Sequence, residues 1–194
     1  MSEHVFWLEQ ALLPQGWRNG VSLRVSDGRI AAITPEALPE PGARKLGCVV
    51  PGLGNLHSHA FQRGMAGLAE AGHAGGDSFW GWREVMYRFL DRLGPDDVEA
   101  IAAMAYAEML ESGFTRVGEF HYLHHAPDGR PYADPAELAG RIAAAAQASG
   151  IGLSLLPVFY AHTGFGVQAP EPMQRRFIHG LDAFAAWRRT ACVR

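Results

Sequence analysis

The chain has 194 residues, 48% of them hydrophobic and 19% charged, with a formal net charge of −3. That is enough apolar material for one or two globular domains, and it offers neither a basic footprint for nucleic acid nor a polybasic patch for a membrane, so a small-molecule partner fits best. Cys48 and Cys192 lie near opposite ends and form no paired pattern, and Met1 opens no cationic, apolar leader; both features point to a reducing, cytoplasmic setting without a secretory signal or membrane span.

From His4 to about Cys48 the pattern is short and turn-punctuated. Val5 to Leu8 reads as a strand, Val21 to Val25 as a second with alternating polar partners, and Arg29 to Ile33 as a third. The Asp27-Gly28 pair between the last two is a hairpin signal, because Gly28 can take the positive φ that such turns require. A link bearing Pro and Gly, Pro35 to Gly42, follows, so residues 1–48 are expected to form a small β domain and residues 49–194 a second one.

Val49, Val50, Leu53 and Leu56 then read as a buried strand that ends in His57 and His59. Alternate side chains of a strand share a face, which puts the two imidazoles about 7 Å apart along the chain and within reach of one metal ion. A bare His-x-His pair also fits two surface histidines. The Pro51-Gly52 lead and the polar Gln62 and Arg63 beyond the pair favour a site.

After Gly67, helices alternate with apolar runs. Asp77 to Leu93 has aromatic and aliphatic residues at helical spacing, ended by Gly94-Pro95. Asp96 to Ser112 is a second helix, opened by Pro95 and closed by Gly113. Thr115 to His121 reads as a strand, Asp134 to Ser149 as a helix, Ile151 to Tyr160 as a strand and Glu171 to Arg189 as a last amphipathic helix. Alternation of this kind specifies right-handed βαβ units around a parallel sheet. A closed (β/α)₈ barrel needs eight such units and usually about 250 residues, whereas three units are legible in the 146 residues after Cys48, so the chain reads as the N-terminal part of a longer barrel.

Three segments carry a family resemblance. Pro51-Gly52 with Asn55-Leu56-His57-Ser58-His59 resembles the first metal motif of the amidohydrolase superfamily. The longer string from Asn55 to Glu70, together with Ser78 to Tyr87 and Gly118 to Gly129, resembles the formimidoylglutamate deiminase family within it. The resemblance implies a metal-dependent (β/α)₈ TIM barrel beside a small β-sandwich, of which residues 1–48 would be part. It implies one divalent ion, zinc or alternatively iron, held by His57 and His59 and by a His and an Asp from later strands. The substrate it implies is N-formimino-L-glutamate, converted to N-formyl-L-glutamate and ammonia in histidine degradation, by a full-length form that is a homodimer. Arg83 matches the position that grips a substrate carboxylate, and Gln62 and Tyr122 match positions that hydrogen-bond the substrate.

On pattern alone Arg83 also fits a solvated helix residue, Gln62 a loop cap and Tyr122 a packing aromatic. The resemblance implies that the groups that move protons belong to later strands, so no catalytic residue is expected in this chain, which is expected to be inactive by itself. His121, His124 and His125 read as a polar loop rather than a second metal site, and His73 as a loop residue; His162 follows the third strand. The competing readings are another deaminase or chlorohydrolase of the superfamily, guanine deaminase-like, and a noncatalytic half-barrel.

Overall fold

The computed structural model describes residues 2–68, 79–164 and 166–191. Ala69 and Glu70, His73, the expected helix start at Asp77 and Ser78, and Cys192 lie outside them. The chain divides into two compact units, residues 1–52 and 53–194.

The first unit is a four-stranded sheet in the order β3-β2-β1-β4, built from β1 (Glu3–Leu13), β2 (Gly16–Ser26), β3 (Arg29–Thr34) and β4 (Arg44–Val49). Asp27 and Gly28 join β2 to β3 with φ of 49° and 75°, the double positive φ of a two-residue hairpin turn that matches the twist of its strands. Leu8, Ala11 and Val21 form the buried centre of the sheet, flanked by Phe6, Leu23, Leu46 and Val49.

β4 departs from the expectation. Val49 does not begin the strand that carries the histidines; it closes β4, whose register runs parallel to β1 with Leu8 opposite Leu46 and Ala11 opposite Val49. A parallel pairing across more than thirty intervening residues leaves no local turn signal to read.

In the second unit β5 (Leu53–Ser58), β6 (Phe114–His121) and β7 (Gly152–Pro157) form a parallel sheet in sequential order. α1 (Phe79–Leu90) and α2 (Pro95–Glu111) lie between the first two strands in sequence, and α3 (Glu137–Ser149) joins the last two. Pro95 sits in the first turn of α2, where no donor is lost, and the Asp97 carboxylate accepts the Gly94 N–H at 2.9 Å. Gly150 ends α3 in the left-handed region at φ 84°. The apolar stripes of these helices, including Val98, Ala102, Leu138, Ile142 and Ala145, pack with Val117 of β6 into one core.

Two expectations fail here. β5 is not a buried strand: Leu53 is 55% and Leu56 84% exposed, because β5 is an edge of this sheet and pairs only with β6 among the described residues. The last helix is shorter than its periodicity suggested. Glu171 caps a single 3₁₀ turn, Pro172–Gln174; Ile178 then bridges Tyr160, and α4 covers only Leu181–Ala191. The helix is displaced because the Arg176 carbonyl accepts the backbone N–H groups of His124 and His125, both at 3.0 Å, while its buried guanidinium donates to the carbonyls of His125 and Leu90. No described helix is long and apolar enough to cross a membrane.

Candidate metal and substrate site at the ends of β5 and β6

His57 lies in β5 and His59 one residue beyond its end. Their Nε2 atoms approach to 3.0 Å, with the ring planes at 89°. Two imidazoles on one tetrahedral zinc, each about 2.0–2.1 Å from it, have nitrogens roughly 3.3 Å apart, so the pair fits a shared cation. His59 is also correctly protonated for that task. Its Nδ1–H donates to the Phe120 carbonyl at 2.9 Å, which leaves the Nε2 lone pair facing His57 Nε2. Burial holds the His59 pKa below the usual imidazole value, opposed by the Phe120 carbonyl and assisted by His57. The neutral, ligating form is thereby favoured. Among the described residues no three His, Cys, Asp or Glu side chains converge on one ion, so further ligands would come from elsewhere.

Two of the three substrate candidates, Tyr122 and Gln62, lie beside this pair. The Tyr122 ring meets His59 edge to face at 4.8 Å, and its hydroxyl accepts the Gln62 amide at 3.1 Å. Burial pushes the Tyr122 pKa up, so the phenol stays neutral. Gln62 reaches it from the 3₁₀ helix Ala60–Met65 that follows His59. Arg83 stands further away on α1. Its guanidinium donates to the Tyr87 hydroxyl at 3.3 Å and to Glu171 at 3.4 Å, and it lies 5.6 Å and 5.3 Å from the Trp80 and Tyr87 ring centres. Phe177 packs against both Tyr87 and Tyr122, at 6.0 Å and 4.9 Å, and so links the Arg83 region to the histidine pair. The remaining candidate, His162, is exposed in the loop after β7.

Two neighbours of the site went unread in the sequence, Phe120, which stacks on His57 at 4.1 Å, and Glu119, whose carboxylate accepts the Ala60 N–H at 2.7 Å. The only local signal was an acid inside an apolar strand.

His121 ends β6, and His124 and His125 lie in the loop after it as expected, but His121 and His124 are buried and His125 half-buried, in a cluster joined by His179 and closed by Trp187. His121, His124 and His179 are 4%, 1% and 6% exposed. Burial lowers the pKa of His121 to about 4 and, with His121 adding repulsion, that of His124 to about 2; burial, then His125, lowers that of His179 to about 4. Each group is depressed below an unfolded value of about 6.5, so the stability it contributes is complete above that value and is lost as pH falls towards 4. With metal removed by chelation, the urea midpoint is expected to hold from pH 7.5 to about pH 6.5 and to drop steadily from there to pH 5; a midpoint that holds or rises below about pH 6.5 would refute the cluster's burial as neutral imidazoles.

Residues 3–47 match the family model described as the N-terminal domain of formimidoylglutamate deiminase. Over 177 residues, 91% of this chain, the sequence is 56% identical to formimidoylglutamate deiminase of Pseudomonas aeruginosa, of which it covers 39%. The crystal structure of an amidohydrolase from Brucella melitensis superimposes with a TM-score of 0.94 at 52% identity, over 98% of this chain and 42% of that one. An atrazine chlorohydrolase variant from Arthrobacter aurescens, complexed with zinc and atraton, shares the fold at 17% identity, with a TM-score of 0.62 over 96% of this chain and 41% of that one. The chain thus spans about two fifths of the length of these relatives.

Proposed function

We propose that this chain, which matches formimidoylglutamate deiminase along 91% of its length, supplies the first metal ligands and part of the substrate pocket of a metal-dependent hydrolase that converts N-formimino-L-glutamate to N-formyl-L-glutamate and ammonia. The observation that carries the reading is the convergence of the His57 and His59 Nε2 atoms beside the Tyr122–Gln62 pair at the ends of parallel strands. In this reading β5 to β7 are the first strands of a (β/α)₈ barrel, whose chemistry sits at the C-terminal ends of its strands. Residues 1–48 are part of the accompanying β-sandwich.

His57 and His59 would hold one divalent ion, zinc by the donor set, with Nε2 as the ligating atom of each. When bound, such an ion lowers the pKa of a coordinated water towards neutrality. Arg83 pairs a substrate carboxylate through its planar guanidinium, while Tyr122 and Gln62 fix the remainder of the substrate by hydrogen bonds. Two imidazoles are half of a tetrahedral set, and no proton-transfer group is assigned among the described residues, so residues 1–194 alone are expected to release no ammonia.

The test is ammonia release by the full-length protein carrying this sequence, with N-formimino-L-glutamate and guanine offered separately. Turnover of the first alone is expected. Turnover of guanine, or ammonia from residues 1–194 alone, would overturn the assignment or the incompleteness respectively.

A further inference from the structure

β5 carries His57 and leads directly into His59, yet neither is oriented by β5 alone. His57 is exposed on an edge strand, and His59 has already left it, with φ −130° and ψ 80° at the start of the 3₁₀ helix Ala60–Met65. A side chain in such a position has many rotamers open to it, and a metal ion that had to order both would lose affinity to that entropy. The neighbouring strand removes the freedom.

Ser58 of β5 lies opposite Glu119 of β6 in the parallel register, so Glu119, Phe120 and His121 pass directly beside the histidine pair. The Phe120 ring stacks on His57, 4.1 Å between centres and 23° between planes. Its carbonyl, part of the same residue, accepts the His59 Nδ1–H at 2.9 Å. One residue therefore touches both imidazoles, one through its face and the other through its backbone. Glu119 acts one step later in the chain. The helix that starts after His59 has no side-chain cap of its own, and the Glu119 carboxylate takes that role from the adjacent strand by accepting the Ala60 N–H at 2.7 Å. Glu119 is 2% exposed, and its second oxygen is sealed from solvent beside the Tyr106 hydroxyl. A buried carboxylate spent on one backbone N–H costs desolvation; that cost is understandable where it fixes the residue following a ligand.

We infer that Glu119 and Phe120 are positioning residues for the metal site: Phe120 sets the plane of His57 and the tautomer of His59, and Glu119 locks the backbone turn on which His59 stands. The inference rests on the reading of His57 and His59 as metal ligands and goes beyond it, because it assigns their preorganisation to a strand that supplies no ligand.

The experiment measures the zinc affinity of the full-length protein by chelator competition and, on the zinc-free form, follows the His59 Nδ1–H by NMR. Outer groups of this kind are typically worth about 10- to 100-fold in metal affinity, and Glu119→Ala is expected to weaken zinc binding within that range. Glu119→Gln, whose side-chain carbonyl can still accept the Ala60 N–H, should recover most of the loss. Phe120→Leu removes the stacked ring and keeps the carbonyl, so it should weaken zinc binding while the His59 Nδ1–H signal persists. General damage would remove both, and Phe120→Leu decides the matter if Glu119→Ala does not fold. Wild-type affinity in both Glu119→Ala and Phe120→Leu would overturn the inference, as would a Glu119→Gln variant no better than Glu119→Ala. A wild-type protein that binds no zinc would instead overturn the metal reading beneath it.

Discussion

Replacement of either His57 or His59 by Ala in the full-length protein is expected to lower bound metal from roughly one per chain to a small fraction of that, and activity with it. The two Nε2 atoms stand 3.0 Å apart, so each is half of the pair that this chain contributes to the site. Loss of one leaves an incomplete tetrahedral set, whose hold on a divalent ion is weaker. The fold should survive, because His57 is exposed and His59 is only half-buried. Thermal unfolding in the presence of a chelator is therefore expected to be close to wild type. Full metal content in both variants by elemental analysis would remove the pair from the site.

Arg83→Ala is expected to weaken kcat/KM for N-formimino-L-glutamate by about 2 to 5 kcal/mol, roughly 30- to 5,000-fold, chiefly through KM. The guanidinium is partly buried and held in place: its side chain is 21% exposed, Tyr87 accepts from Nε, and Trp80 and Tyr87 flank it. Its pKa is raised, first by Tyr87, so it remains charged. The ion pair to Glu171 is long at 3.4 Å and Glu171 is 48% exposed, so a substrate carboxylate competes against a weakly held partner. Arg83→Lys should recover only part of the loss, since an ammonium cannot form the paired planar contact. Metal content should not change in either variant. Unaltered kinetics would reduce Arg83 to a helix-surface residue.

Local chemistry was legible in the sequence wherever a single residue type dictates backbone conformation. The Asp27-Gly28 turn, the Pro95 start of α2 and the αβ alternation up to β7 follow from such signals. Pairing between distant segments was not. β4 was hidden because Val49 and Val50 adjoin the histidine strand in sequence while Val49 is placed opposite Ala11. The helix expected from Glu171 was lost to contacts between Arg176 and the loop at His125, 51 residues earlier. At the site, strand alternation put His57 and His59 on one face, but the closeness of their nitrogens and the contacts of both rings with Phe120 follow a register no turn specifies. His179 joins the buried histidines from another loop for the same reason.

If His57 and His59 hold one divalent ion between them, anomalous diffraction from crystals of the zinc-loaded full-length protein should show a single strong peak about 2.0–2.1 Å from Nε2 of both residues; a peak bound to only one of them, or one lying elsewhere with the pair unligated, would contradict the metal site.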